Sequence, residues 1–238
     1  MSDIRAVIFD CYRTLVDIRT NEEKKEVFAN LALYLRYYGA DADERYLKSA
    51  IDQERDLYLR RSTEVYPEVD LEAVFMKVLR GMDLGDAFLA QSCCRLFRLL
   101  TLERFQLFPD TLPVLRELGR KGYILAVVSD AQKVFSLEEC RMLGLHQLVD
   151  HFVMSTQYGF TKPDPRLFSI ACTLIETPPG QAVYVGNDAE KDVKGARQVG
   201  MKTILVDRDS TGGMNKGSGA DVHAADLWEA LQWIEQYR

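Results

Sequence analysis

Two spacings of apolar residues divide the chain. From about residue 18 to 102 they recur at helical intervals. Phe28, Leu31, Leu35 and Tyr38 fall on one predicted face, and Leu47, Ile51 and Leu57 on a second. Val74, Val78 and Leu79 mark a third helix, and Leu96, Phe97 and Leu100 a fourth, so this stretch reads as a small helical bundle. Elsewhere short apolar runs alternate with amphipathic ones. AVIFD (6–10), ILAVVSD (124–130), HFVMST (151–156), AVYVGND (182–188) and TILVD (203–207) have the continuous hydrophobicity of strands buried on both faces. Between them lie helical patterns: Leu112, Leu115 and Leu118 before Gly122, and Leu137, Cys140 and Leu143 before Gly144. Leu227 to Ile234 reads as a closing helix, and residues 210–219 as a loop.

Strands alternating with helices predict an α/β fold with a doubly wound parallel sheet. The helical stretch is then an insertion after the first strand: residues 1–17 and 103–238 form the α/β unit, and 18–102 a helical unit. Glycine and proline agree. Three glycines and one proline precede Pro109, whereas twelve glycines and six prolines, counting Pro109, lie from there onward.

Composition narrows the function classes. A formal net charge of −6, with both signs mixed along the chain, gives no basic stripe for nucleic acid and no polybasic membrane patch. No apolar run approaches the roughly 20 residues of a membrane span. The opening MSDIRAVIFD is charged too soon for a signal peptide. Cys11, Cys93, Cys94, Cys140 and Cys172 lack zinc or redox spacing, which fits a reduced, cytoplasmic setting and places the chemistry on oxygen and nitrogen groups. The expected partner is a small molecule, and the expected state a monomer or homodimer.

In a doubly wound sheet, ligands bind beyond the carboxyl ends of the strands. Asp10 ends the first run, Ser129 and Asp130 the second, Asn187 and Asp188 the fourth, and Lys162 follows the third in the loop GFTKPDP. A carboxylate, a hydroxyl, a lysine and an acidic cluster at one edge suit transfer of a phosphoryl or similar electrophilic group. Each residue also has a plainer role. Asp10 could form a turn, Ser129 and Asp130 could cap a helix, and Lys162 could be solvated. Asp188 and Asp192 could be an N-cap and a first-turn acid. Their common position at strand ends favours a site.

The order and spacing resemble the haloacid dehalogenase-like superfamily. FDCYRTLVD is similar to its first motif, VVSD to the second, TKPDPRLF to the third and VGNDAEKDVKGARQVGM to the fourth. The inserted helices resemble its small cap. The resemblance implies that Asp10 is a nucleophile forming a covalent aspartyl intermediate. Ser129 and Lys162, with Asp130 beside them, would bind the transferred group and balance its charge, and Thr14 would hydrogen-bond near the nucleophile. Asp10, the carbonyl of Tyr12, Asn187 and Asp188 would hold Mg²⁺, a hard ion that prefers oxygen ligands. Asp192 would support that shell or orient the hydrolytic water.

Two positions depart from the family's phosphatases. Their second aspartate, which protonates the leaving alcohol, is Tyr12 here, and a phenol titrating near about 10 is a poor acid at neutral pH. Tyrosine there resembles the L-2-haloacid dehalogenases, whose halide needs no proton. Asn187, Asp188 and Asp192 point back to phosphatases. Arg13 stands where the family often has glycine. The expectation is a magnesium-dependent phosphatase of a small phosphorylated metabolite, handicapped by Tyr12. The alternatives are a metal-independent 2-haloacid dehalogenase and a catalytically weak phosphate- or partner-binding relative. In the cap, Lys24, Lys25, Arg36, Arg60 and Arg61 are the polar candidates for choosing substrate, or else a solvated helix face.

Overall fold

The computed structural model of the chain describes residues 3–208 and 218–237. Its central sheet has six parallel strands: β1 (Ala6–Phe9), β4 (Ile124–Ser129), β5 (His151–Met154), β6 (Ala182–Gly186), β7 (Lys202–Val206) and β8 (Val222–Ala224), in the order β5-β4-β1-β6-β7-β8. All five expected strands are present. β8 is an edge strand of three residues, too short for a hydrophobic pattern to announce.

Side chains alternate across the sheet, so each strand feeds two cores. Val7, Phe9, Leu125 and Val127 face α5 (Thr111–Arg120), α6 (Lys133–Met142) and α9 (Leu227–Ile234). Ala6, Ile8, Ala126 and Tyr184 face α7 (Pro165–Leu174) and the short α8 (Lys194–Gln198). Helices thus cover both faces, as doubly wound folding requires. Residues 210–217 of the expected loop lie outside the described residues.

The intervening helices are α1 (Lys25–Tyr37), α2 (Glu44–Arg61), α3 (Leu71–Arg80) and α4 (Ala87–Thr101). They share a hydrophobic cluster of their own, centred on Leu31, Leu35, Leu47, Ile51, Phe75 and Leu79, each at most 1% exposed. Phe97 of α4 meets both Phe28 and Phe75 at ring distances of 6.1 Å. Truncating so buried a ring as Phe75 to alanine would cost about 3–5 kcal/mol. Tyr38, expected on the buried face, follows the last turn of α1 and is 41% exposed. Strands β2 (Val16–Thr20) and β3 (Leu102–Leu107) pair antiparallel, Val16 with Leu107 and Arg19 with Arg104, and lead the chain into and out of these helices.

The middle of the sheet positions the site. Phe9 is in register with Val127 of β4 and Val185 of β6, so three adjacent strands end at one level. Asp10, Ser129 and Asn187 therefore emerge side by side.

Candidate active site

Asp10 leaves β1 buried, at 5% exposure, with both carboxylate oxygens engaged. Oδ1 accepts from Lys162 Nζ at 2.7 Å and from Ser129 Oγ at 3.4 Å, and Oδ2 accepts from Thr14 Oγ1 at 3.0 Å. Thr14 reaches back because the chain turns tightly after Asp10: the Cys11 carbonyl accepts from the amides of Thr14, Leu15 and Val16. The turn drives Arg13 to φ 66°, the left-handed region that favours glycine. Arg208 then fixes the turn, donating from Nε (3.1 Å) and Nη2 (2.7 Å) to the Thr14 carbonyl and pairing with Asp110 at 2.9 Å.

Lys162 is buried at 4% exposure and not solvated. Its ammonium lies between Asp10 and Asp192 Oδ1, the latter at 2.6 Å. Burial opposes that charge, but the two carboxylates overcome it and hold the lysine well above its ordinary range. Asp10 is pushed up to about 6, chiefly by burial, with Lys162 opposing and Asp192 adding.

Asp192 is satisfied on every side. Oδ1 also receives Tyr184 Oη at 3.3 Å, and Oδ2 receives the amides of Asn187 and Asp188 at 3.0 Å each. The carboxyl comes so close that a Cβ at Gly186 would collide with it. These amide bonds end β6 at Gly186, two residues before the expected strand end.

The carboxylates of Asp10, Asp188 and Asp192 do not gather round one point. Lys162 is the cation between Asp10 and Asp192, and Asp188 Oδ1 instead caps the π-helical turn Ala189–Val193 through the amides of Glu190 (2.9 Å) and Lys191 (3.0 Å). Among the described residues no three His, Cys, Asp or Glu side chains converge as a metal cluster. The donor set still fits Mg²⁺, which takes one or two carboxylates and keeps waters. Asn187 Oδ1 and Asp10 Oδ2 both meet the Thr14 hydroxyl, at 3.3 and 3.0 Å, so two hard oxygens share one neighbour.

Asp130, expected to bind substrate, holds the third-motif loop: Oδ1 accepts from the Lys162 amide at 2.8 Å and Oδ2 from Lys191 Nζ at 3.0 Å. The Tyr12 side chain turns toward the helical unit. Its hydroxyl donates a short hydrogen bond to Glu139 of α6, and Arg98 of α4 clamps that carboxylate with two bonds of 2.6 and 2.9 Å. The guanidinium lies 5.1 Å from the Tyr12 ring centre and 4.8 Å from that of Phe135. Burial, with neighbouring Cys11 and Glu139, pushes the Tyr12 phenol well above its ordinary range.

Between sheet and helices is a cavity of about 320 Å³, lined by Tyr12, Glu68, Arg98, Asp130, Gln132 and Phe135 among others. Sequence reasoning missed Glu68, Arg98 and Glu139, which stand in no motif. Of the cap candidates, none lines this cavity. Lys24, Lys25 and Arg60 border a larger open cleft of about 830 Å³ between α1 and α2, where Lys48 pairs with Glu23 at 2.8 Å. Arg36 and Arg61 are exposed.

Comparison with known proteins agrees with this fold. A family model described as haloacid dehalogenase-like hydrolase matches residues 4–200. A glyceraldehyde 3-phosphate phosphatase of Methanopyrus kandleri is 33% identical over 115 residues, 48% of this chain and 49% of that protein. A phosphoserine phosphatase of Thermus thermophilus is 31% identical over 129 residues, 54% and 48% of the two chains. The chain thus spans about half the length of these curated relatives. The solved 2-haloacid dehalogenase of Pseudomonas syringae pv. Tomato superposes with a TM-score of 0.73 at 22% identity, over 99% of this chain and all of that one.

Proposed function

Because this chain belongs to the haloacid dehalogenase-like hydrolases, we propose that it is a magnesium-dependent phosphatase of a small phosphorylated metabolite. The observation that carries the reading is Lys162 between two buried carboxylates, at the edge where Asp10, Ser129 and Asn187 meet. An ammonium held there is fixed before substrate arrives, and preorganised charge of this kind is worth most in a dry site.

Asp10 attacks phosphorus, a bond forms from its carboxylate oxygen, and the ester P–O bond breaks. Lys162 and Ser129 balance negative charge on the phosphoryl oxygens, while Thr14 holds the nucleophile's second oxygen. The leaving oxygen takes its proton from water, since the Tyr12 hydroxyl is committed to Glu139. Water then hydrolyses the aspartyl phosphate. Asp192 acts on Lys162 and the strand-end turn, and its fully bonded oxygens do not favour a role in orienting that water. Asp10, the Tyr12 carbonyl, Asn187 and Asp188 would hold Mg²⁺, which when bound supplies further charge neutralisation at the phosphoryl group. Residues 18–102 serve as the cap that excludes water and selects substrate.

A second reading, metal-independent 2-haloacid dehalogenation, is favoured by the committed Tyr12 hydroxyl, because a halide needs no proton. Assay of phosphate monoesters and 2-chloropropionate, each with Mg²⁺ and with excess chelator, separates the two. Phosphate release that disappears with chelator is expected. Chelator-resistant chloride release with no phosphate release would overturn the phosphatase reading.

A further inference from the structure

The cavity between sheet and helices has an uneven charge balance. Arg98 is held by Glu139, Arg55 by Glu22 at 3.0 Å, and Asp130 by Lys191 at 3.0 Å. Glu68 is different. It accepts from the Ser155 hydroxyl and from Gln132 Nε2 (3.3 Å), both neutral, and no cation stands within ion-pair distance of it among the described residues. Burial pushes its carboxyl above the ordinary range against the Ser155 hydrogen bond; Asp130 adds to the rise, and the more distant Lys191 ammonium, paired with Asp130, partly opposes it.

Glu68 is also fixed to the chemistry. Its amide donates to the Gly159 carbonyl at 3.0 Å, and the Thr161 amide donates to Tyr66 at 2.7 Å. The segment carrying Glu68 is thereby paired with the loop that delivers Lys162. Its partner Ser155 accepts the Ala131 amide at 2.8 Å, two residues beyond Ser129. A carboxylate in this place meets whatever part of the substrate extends from the phosphoryl site into the cavity.

Resting on the phosphatase reading, we infer that Glu68 is a specificity-determining residue, selecting phosphate monoesters whose leaving portion is uncharged and hydroxylated over those bearing a second anion. A hydroxyl entering the cavity finds an acceptor with spare lone pairs. A carboxylate would meet a like charge that no ion pair balances, and the buried guanidinium of the cavity, Arg98, is already clamped by Glu139.

Binding measured by calorimetry on Asp10→Asn protein in Mg²⁺ buffer tests this without turnover, with glycerol 3-phosphate, 3-phosphoglycerate and inorganic phosphate as ligands. Glycerol 3-phosphate should bind at least about tenfold more tightly than 3-phosphoglycerate. Adding Glu68→Gln should close most of that gap, chiefly by strengthening 3-phosphoglycerate, and leave inorganic phosphate unchanged. Equal affinities, or tighter 3-phosphoglycerate, in the parent protein would overturn the inference whatever the second variant does. So would a Glu68→Gln effect equal on all three ligands, which would mark a purely structural role. Inorganic phosphate binding with neither ester binding overturns the selection but not the phosphatase reading, whereas no phosphate ligand binding at all overturns both.

Discussion

The nucleophile's surroundings and the seam above them are built by different rules. Around Asp10 every partner comes from the end of a strand or the loop after it, and one lysine lies between two carboxylates. Along the seam the partners come from helix interiors and a connecting segment. Arg98 of α4 meets Glu139 of α6 beside Tyr12, and Glu68 meets Ser155. In the first region the buried oxygens and nitrogens have several partners each in low dielectric, which favours a single arrangement. The second region joins two hydrophobic clusters, so a few polar contacts govern how they sit together. Catalysis should therefore depend steeply on the first and substrate choice on the second.

The largest expected effect tests the first half of that contrast. Asp10→Asn should lower turnover by at least ~10³-fold while raising stability. A carboxyl whose pKa is raised on folding binds its proton more tightly in the folded state. Its ionisation therefore costs stability progressively between the ordinary value of 3.8 and about 6, and the cost persists above. The amide never ionises, and Lys162 keeps Asp192, so Tm at neutral pH should rise by on the order of 2–6 °C. A fall in Tm would contradict a burial cost at Asp10.

Lys162→Met should be damaging in both respects. It leaves Asp10 and Asp192 buried without their cation, a loss of about 3–5 kcal/mol, and removes the charge facing the phosphoryl group, worth about 10²–10³-fold in kcat. Denaturant unfolding and steady-state kinetics measure the two separately. A variant as stable as the parent would mean that the lysine is not the sole counter-charge.

The titration of Asp10 is next. In Mg²⁺-free protein an NMR titration of the Asp10 carboxyl should have its midpoint at about 6, where burial pushes it, whereas bound Mg²⁺ would favour the charged form. A midpoint near about 4, the ordinary carboxylate range, would show that burial does not govern Asp10.

The smallest effects belong to the seam. Tyr12→Phe should change kcat by less than about tenfold, because a hydroxyl committed to Glu139 is not the proton donor. Arg98→Met and Glu139→Gln should be non-additive, with a coupling of about 0.5–3 kcal/mol in a stability cycle. Additive losses would break the account of the clamp.

The same contrast explains what the sequence disclosed. Asp10, Ser129 and Lys162 were legible because a hydrophobic strand pattern marks its own end, and the ends of a parallel sheet share one edge. Thr14 followed from the motif around Asp10. Asp188 read as a metal ligand and Asp192 as its support, yet one carboxyl caps the helical turn while the other anchors Lys162. Two acidic residues four apart do not reveal which will turn inward. Arg98 and Glu139 could not be found by pattern, since a polar residue on an amphipathic helix reads as solvated until the facing helix is known. Glu68 lies between helices, where no period applies. β8 was too short to be seen.

The central claim is that Asp10 itself carries the phosphoryl group. The most direct test is to quench the enzyme with acid during turnover of a ³²P-labelled phosphate monoester, reduce the acyl phosphate with borohydride, and locate the modified residue by mass spectrometry. The account predicts transient label on the protein, and conversion of residue 10 alone to homoserine. Sustained turnover with no protein-bound label, or with the label on another residue, would contradict it.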